Sequence, residues 1–147
     1  MNFRSASLLA TVILVACAGA LLGLHALIPR EPVLVGVQVA AVALMLWARV
    51  TFGGRSFHAG ANPTEGGLVT SGPYRFVRHP IYSGVLLLAT GITATSGSAA
   101  AVVALAGLTV LLNVKARFEE NLLLRRFPDY GAYADLTPRF VPWFRRE

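Results

Sequence analysis

Long apolar runs separated by short polar breaks make up most of the chain. A helix needs about 20 apolar residues to cross the hydrocarbon core of a membrane. The third run is short for a full crossing, and only residues 96–98, with a break at Gly97 and Ser98, separate it from the fourth, so these two helices must be antiparallel neighbours. We therefore predict an all-α, polytopic membrane helix bundle of four transmembrane helices. The predicted spans are residues 6–28, 33–52, 81–95 and 99–114.

Two polar segments complete this pattern and predict a single domain over residues 1–147. Residues 53–80 are rich in glycine and contain two histidines and three arginines. Residues 115–147 are basic and amphipathic, with aromatic side chains throughout, which predicts a C-terminal cytoplasmic amphipathic helix.

The composition excludes both an ordinary soluble domain and a disordered chain. Hydrophobic residues make up 55% of the sequence and charged residues 14%, whereas a soluble domain carries about 25% charged residues. A disordered chain needs low hydrophobicity and high charge. The lipid bilayer is thus the expected environment.

The basic residues predict the orientation of the helices. The net charge is +6, and placing the N-terminus inside puts 12 of the 13 Lys and Arg residues on the cytoplasmic side, with only Arg30 outside. Since cytoplasmic loops retain Lys and Arg, both termini are expected in the cytoplasm, and in a bacterium the membrane would be the inner one. The charge therefore does not require a nucleic acid partner.

The single cysteine, Cys17, excludes an internal disulfide and a multi-cysteine metal site. Residues 14–17 resemble a lipoprotein cleavage box, but residues 18–28 stay apolar, which favours a membrane helix over a cleaved signal. The three histidines lack metal-ligand spacing, so no metal is expected. No phosphate loop, dinucleotide fingerprint or nucleophile elbow is present.

Residues 72–84 combine turn formers with side chains that can bind ligands. Pro80 suits the first position of a helix, which places Arg78 and His79 at a helix N-terminus, where anions are favoured. Tyr82 would lie in the first turn. The alternative is an interfacial belt in which the arginines set topology and the tyrosines lie among the head groups.

A second group of polar residues begins at the end of the fourth run. Asn113 is followed by Glu119 and Glu120, and carboxylates near a bilayer are costly unless they are paired or solvated. Adjacent residues differ by about 100° around a helix, so we expect one glutamate to point into the bundle and the other to face water or pair with arginine. The alternative is a solvated helix face with i,i+4 pairs such as Lys115 with Glu119.

Together these motifs resemble the isoprenylcysteine carboxyl methyltransferase family and its phospholipid methyltransferase relatives. The likeness covers about residues 66–142. Its most specific part is Gly-Pro-Tyr-x-x-x-Arg-His-Pro-x-Tyr-x-Gly at residues 72–84; Glu119-Glu120-x-x-Leu123, Tyr130-x-x-Tyr133 and Thr137-Pro138-Arg139-Phe140 follow. The resemblance implies an integral-membrane methyltransferase that binds S-adenosylmethionine in a non-Rossmann pocket on the cytoplasmic side, formed by residues 53–80 and 115–147.

The resemblance also implies roles for individual residues, without a covalent nucleophile. Lys115 or Arg117 would contact the substrate, and Arg78, Asn113 and Glu120 would support the site. The residues expected to bind the cofactor are Gly66, Gly67, Leu68, Val69, Tyr74, His79, Pro80, Ile81, Tyr82 and Glu119.

The acceptor implied by the resemblance is a lipophilic small molecule or a prenylated substrate, methylated on a carboxyl oxygen as in isoprenylcysteine. The chain has fewer helices than the larger members of the family, and Pro128 stands where glycine is common. The acceptor is therefore left open. Two other classes are also kept: a membrane reductase of related fold that uses a nicotinamide cofactor, and a non-catalytic scaffold or transporter subunit.

Overall fold

The computed structural model describes residue 29 and residues 31–52 and 67–142. The predicted span 6–28 with Cys17, and residues 53–66 with the predicted cofactor ligand Gly66, lie outside the described residues.

All regular structure in the described residues is helical. The helices are α1 (Pro32–Phe52), a short 3₁₀ helix (Gly72–Arg75), α2 (Pro80–Ser96), α3 (Ala99–Arg126) and α4 (Tyr130–Leu136). The predicted helices over 33–52 and 81–95 are thus present. By length and composition, α1 and α3 are sufficient to cross a membrane, and α2 is a shorter apolar helix.

Local sequence explains where these helices begin and end. Pro32 and Pro80 each occupy a first helical position, where the missing N–H has no cost. Gly97 ends α2 in the left-handed conformation, with φ of 60°, which glycine adopts without strain. Ser98 caps α3, because its side chain accepts a hydrogen bond from the N–H of Ala101 at 3.1 Å.

The fourth apolar run does not end its helix at residue 114. α3 continues without a break to Arg126, so no separate amphipathic helix begins at Lys115. Residues 115–126 lengthen α3 by about 18 Å at 1.5 Å per residue. This extension carries Lys115, Glu119 and Glu120 beyond the apolar part of the helix.

α2 is the central helix and packs against both α1 and α3. Gly84 allows the close approach to α1: a Cβ atom there would lie 3.0 Å from the carbonyl oxygen of Ala41. The buried core between α2 and α3 consists of Ala89, Ile92, Ala101, Leu108 and Leu112. The outward faces carry exposed valines such as Val33, Val39, Val103 and Val110, which suits lipid surroundings better than water.

Candidate functional site

Three parts of the chain meet at one end of the bundle: the start of α2, the extended part of α3, and residues 137–140, which we call the C-terminal strap. The main chain joins the strap to the start of α2. The N–H of Arg78 donates to the carbonyl of Pro138 at 2.8 Å, and the N–H of His79 to that of Arg139 at 3.1 Å. The Ser83 hydroxyl donates to the carbonyl of Phe140 at 2.7 Å.

The imidazole of His79 is buried between the two glutamates. Its Nε2 lies 3.1 Å from Glu120 Oε1, and its Nδ1 lies 3.5 Å from Glu119 Oε2. The ring is parallel to that of Tyr82, with centroids 5.3 Å apart, and the ring of Phe140 tilts against it at 6.0 Å. Contacts on every side therefore fix the orientation of this imidazole.

Glu120 is surrounded by cations. It accepts hydrogen bonds from Arg78 Nε at 3.1 Å, from Arg139 Nε at 3.0 Å and from Arg139 Nη2 at 2.6 Å. Arg78 also donates to the carbonyl of Ala134 in α4. Burial by itself raises the pKa of Glu120, but the hydrogen bonds from His79 and Arg139 and the charge of Arg78 outweigh it and lower the pKa to about 2. Glu120 is therefore a carboxylate at neutral pH.

Glu119 is the more accessible of the two carboxylates, with 21% of its side chain exposed compared with 11% for Glu120. The Tyr82 hydroxyl donates to its Oε1 at 2.6 Å. The ammonium group of Lys115 lies 5.8 Å from the centroid of the Tyr82 ring. An accessible carboxylate and an ammonium group thus both lie close to one tyrosine.

The sequence predicted that one glutamate would point into the bundle and that the other would face water or pair with arginine, and the structure differs from this in one respect. Glu120 points into the structure as predicted for one of the pair, and it is also the one that pairs with arginine. Glu119 does not simply face water, because it contacts Tyr82 and His79. Long side chains that converge on one imidazole overcome the angular separation of their Cα atoms.

Arg139 is a central residue of the site that the sequence prediction did not include. Besides Glu120, it contacts Asn113, whose Oδ1 accepts from Arg139 Nη1 at 3.3 Å. The bond to Glu120 raises the pKa of Arg139. The available signal was its place in the Thr137-Pro138-Arg139-Phe140 motif, but nothing in the spacing indicates that it reaches α3.

The remaining predicted residues lie at different distances from this centre. Tyr74 is buried, and its carbonyl accepts from the Tyr133 hydroxyl at 2.6 Å. Burial, followed by the negative charge of Glu119, raises the pKa of Tyr74 to about 12. Arg117 is exposed and makes no hydrogen bond or ion pair within the described part of the chain, whereas Lys115 is half-buried and lies over the Tyr82 ring. Residues 67–69 approach the 3₁₀ helix without regular structure, and Pro80 and Ile81 begin α2.

Comparison with known proteins supports the resemblance drawn from the motifs. The sequence profile of the phospholipid methyltransferase family matches residues 32–130. The match includes the Gly72–Gly84 motif and both glutamates and ends before Arg139. The family prediction is confirmed.

Two curated relatives are named for metal resistance. The nickel-cobalt-cadmium resistance protein NccN of Alcaligenes xylosoxydans xylosoxydans is 37% identical over 111 residues, which are 74% of this chain and 47% of the relative. The cobalt-zinc-cadmium resistance protein CzcN of Cupriavidus metallidurans is 39% identical over 111 residues, which are again 74% of this chain and 47% of the relative. The chain thus spans about half the length of the curated relatives it matches. No solved structure matches it.

The described residues contain no group of three or more His, Cys, Asp and Glu side chains arranged to hold a metal ion. In the cluster around His79, the two arginines on Glu120 occupy positions that a cation would otherwise fill.

Proposed function

This chain belongs to the phospholipid methyltransferase family, and from that premise we propose that it transfers a methyl group from S-adenosylmethionine to a lipophilic acceptor at the cytoplasmic face of a membrane. The observation that carries the proposal is the cluster of Glu119, Tyr82 and His79. It brings together the two family motifs, which are separated in sequence by most of α2 and α3.

The site fits the positive charges of this cofactor. S-adenosylmethionine carries a sulfonium and an ammonium group, and Glu119 offers a partly exposed carboxylate held in place by Tyr82. The pairing of Glu120 with two arginines leaves Glu119 as the carboxylate of the cluster that is accessible to a ligand. A charge-assisted hydrogen bond to Glu119 would orient the cofactor.

The start of α2 fits the negative charge of the cofactor. The first N–H groups of a helix lack partners within the helix, and here the N–H of His79 is already bonded to Arg139 while Pro80 has none. Among the described residues, no main-chain acceptor takes up the N–H groups of Ile81 and Tyr82, so these are the donors left for a ligand. They and the helix dipole favour a carboxylate.

Lys115 and its neighbours suit an acceptor that combines an anionic group with an apolar chain. Val114 and Phe118 flank Lys115 on α3 and are 46% and 52% exposed. An acceptor carboxylate could pair with the ammonium group while its apolar chain lies along these side chains. This supports carboxyl O-methylation of an isoprenylcysteine-type or similar lipid-like molecule.

When bound, the cofactor supplies an electrophilic methyl group whose bond to sulfur breaks as the bond to the acceptor forms, leaving a neutral thioether. The residues of the chain contribute position: alignment of the reacting atoms accounts for a large part of the rate of such reactions. An acceptor carboxylate is ionised at neutral pH, so it requires no general base, whereas an amine acceptor would require one.

Ligand binding to the full chain in detergent tests the proposal. We expect saturable binding of S-adenosylhomocysteine by isothermal titration calorimetry. Glu119→Gln should weaken it by about 10-fold or more, because a hydrogen bond to a charged group contributes about 1.5–3 kcal/mol. The matched control is Asp135→Asn, which neutralises an exposed carboxylate of α4 and should bind like the wild type. Absence of saturable binding, or displacement by a reduced nicotinamide, would contradict the proposal.

The acceptor class is tested by transfer of a labelled methyl group. N-acetyl-S-farnesylcysteine should become labelled, whereas its preformed methyl ester, which has no free carboxylate, should not. Label that appears only in phospholipid amines of the detergent extract would overturn carboxyl methylation while retaining the methyltransferase.

A further inference from the structure

The guanidinium group of Arg139 holds Glu120 at two points. Its Nε lies 3.0 Å from Oε1 and its Nη2 lies 2.6 Å from Oε2. Such paired bonds fix the plane of a carboxylate as well as its position. Arg139 belongs to the C-terminal strap, outside residues 32–130 that match the family.

The same carboxylate holds His79. Glu120 Oε1 lies 3.1 Å from His79 Nε2 and also accepts from Arg78 Nε at 3.1 Å. The side chains of both arginines therefore determine where this oxygen lies. The oxygen in turn determines where one edge of the imidazole is held.

The opposite edge of the imidazole is turned towards the accessible carboxylate. With Nε2 bonded to Glu120, Nδ1 lies 3.5 Å from Glu119 Oε2, and the ring stacks on Tyr82, which binds Glu119. A continuous set of contacts thus runs from Arg139 through Glu120 and His79 to the residue proposed to receive the cofactor.

We propose that Arg139 is a positioning residue of the cofactor site, acting through Glu120 on the orientation of His79. This inference rests on the proposed function only for its second half, the effect on cofactor affinity. The first half, the effect of Arg139 on the imidazole, concerns contacts within the chain and has a readout of its own.

The main chain provides a separate connection, which the side-chain test leaves in place. The N–H of His79 donates to the carbonyl of Arg139, and the N–H of Arg78 to that of Pro138. A substitution at Arg139 removes the guanidinium while these bonds can still hold the strap. A purely structural role would then appear as lower stability, with the ring environment of His79 unchanged in the folded protein.

The first readout is the NMR spectrum of the full chain with ¹⁵N-labelled histidine rings. The chain has three histidines, and His79→Gln identifies the signals of His79. We expect Arg139→Gln to shift the Nε2 and Nδ1 signals of His79. Arg139→Lys, which keeps the charge but not the paired geometry, should shift them less. Arg126→Gln, at an exposed arginine at the end of α3, is the control and should shift none.

The second readout is the affinity for S-adenosylhomocysteine measured by calorimetry on the same samples. We expect Arg139→Gln to raise the Kd by about 10-fold, Arg139→Lys to raise it less, and Arg126→Gln to leave it unchanged. Thermal unfolding of each sample verifies that the variants are folded; if Arg139→Gln does not fold, Arg139→Lys carries both readouts.

The outcomes separate the two proposals. If the wild type binds no S-adenosylhomocysteine, the proposed function fails, and the histidine spectra still decide whether Arg139 positions His79. If the folded Arg139→Gln variant keeps the wild-type ring signals of His79, the positioning role is overturned, whatever the affinity for S-adenosylhomocysteine. The same holds for Arg139→Lys if that variant has to replace Arg139→Gln. A shifted spectrum with unchanged affinity would overturn the link to the cofactor.

Discussion

Two tyrosines of α4 differ in what their hydroxyl groups contact, although both side chains are largely enclosed. The Tyr133 hydroxyl donates to the carbonyl of Tyr74 at 2.6 Å, whereas the buried Tyr130 hydroxyl has no hydrogen-bond partner among the described residues. Tyr133→Phe should therefore lower the free energy of unfolding by about 0.5–1.5 kcal/mol. Tyr130→Phe, the matched control, removes an unsatisfied group and should leave stability unchanged or raise it. Thermal unfolding of the two variants side by side checks this, and the reverse order of stability would contradict it.

Glu120 predicts how the stability of the protein depends on pH. Its pKa is lowered from the ordinary value of 4.5 to about 2, so the folded state favours the carboxylate more than the unfolded state does. The stabilisation that the ionised Glu120 gives to the folded state is fully present above about pH 4.5 and is lost as the pH falls towards 2. The melting temperature should decrease over that range, and Glu120→Gln should flatten the decrease. Asp135→Asn, at an exposed carboxylate, should keep the wild-type slope; equal slopes for all three proteins would exclude Glu120 as the cause.

The residues that carry charge near the site could be predicted, but their partners could not. Carboxylates beside apolar runs stand out in a sequence because burying them is costly, which identified Glu119 and Glu120, and Arg78 was identified by its place at a predicted helix N-terminus. Arg139 was missed because its importance comes from the fold: the C-terminal strap returns across the start of α2 and brings the guanidinium to α3. Contacts over such sequence distances leave no local pattern.

The contact between α1 and α2 depends on the absence of a side chain at Gly84. A Cβ atom there would meet the Met45 side chain and lie 3.0 Å from the backbone oxygen of Ala41, which cannot move away as a flexible side chain can. Gly84→Ala should destabilise the protein by about 1–3 kcal/mol, the usual cost of overpacking. Gly107→Ala in α3 is the control: a Cβ atom there meets nothing within 4 Å, so the higher helix propensity of alanine should keep or raise stability. Thermal unfolding in detergent compares them, and equal effects would show that the helices can separate at Gly84 without cost.

Helix positions followed from the sequence better than helix ends did. The breaks at Pro32, Pro80 and Gly97 are stereochemical, so they coincide with observed boundaries. The predicted end at residue 114 marked only where hydrophobicity falls, and α3 continues because residues 115–126 contain no proline or glycine to stop it. Hydropathy indicates the part of a helix suited to lipid, and stereochemistry determines where the helix ends.

At the scale of the whole molecule, the predicted topology places the site and the turn between α2 and α3 on opposite sides of the membrane. α2 begins at the His79 cluster and ends at Gly97, and the basic residues around the cluster favour the cytoplasm for that end. The single cysteine makes a test direct: Cys17→Ser provides a background for Ala99→Cys at the exposed start of α3 and Asp135→Cys at the exposed surface of α4. In intact bacterial spheroplasts, a membrane-impermeant maleimide should label the cysteine at position 99 and not the one at 135, and both should react after the membrane is permeabilised. Labelling of position 135 alone in intact spheroplasts would reverse the orientation and place the site where cytoplasmic S-adenosylmethionine cannot reach it.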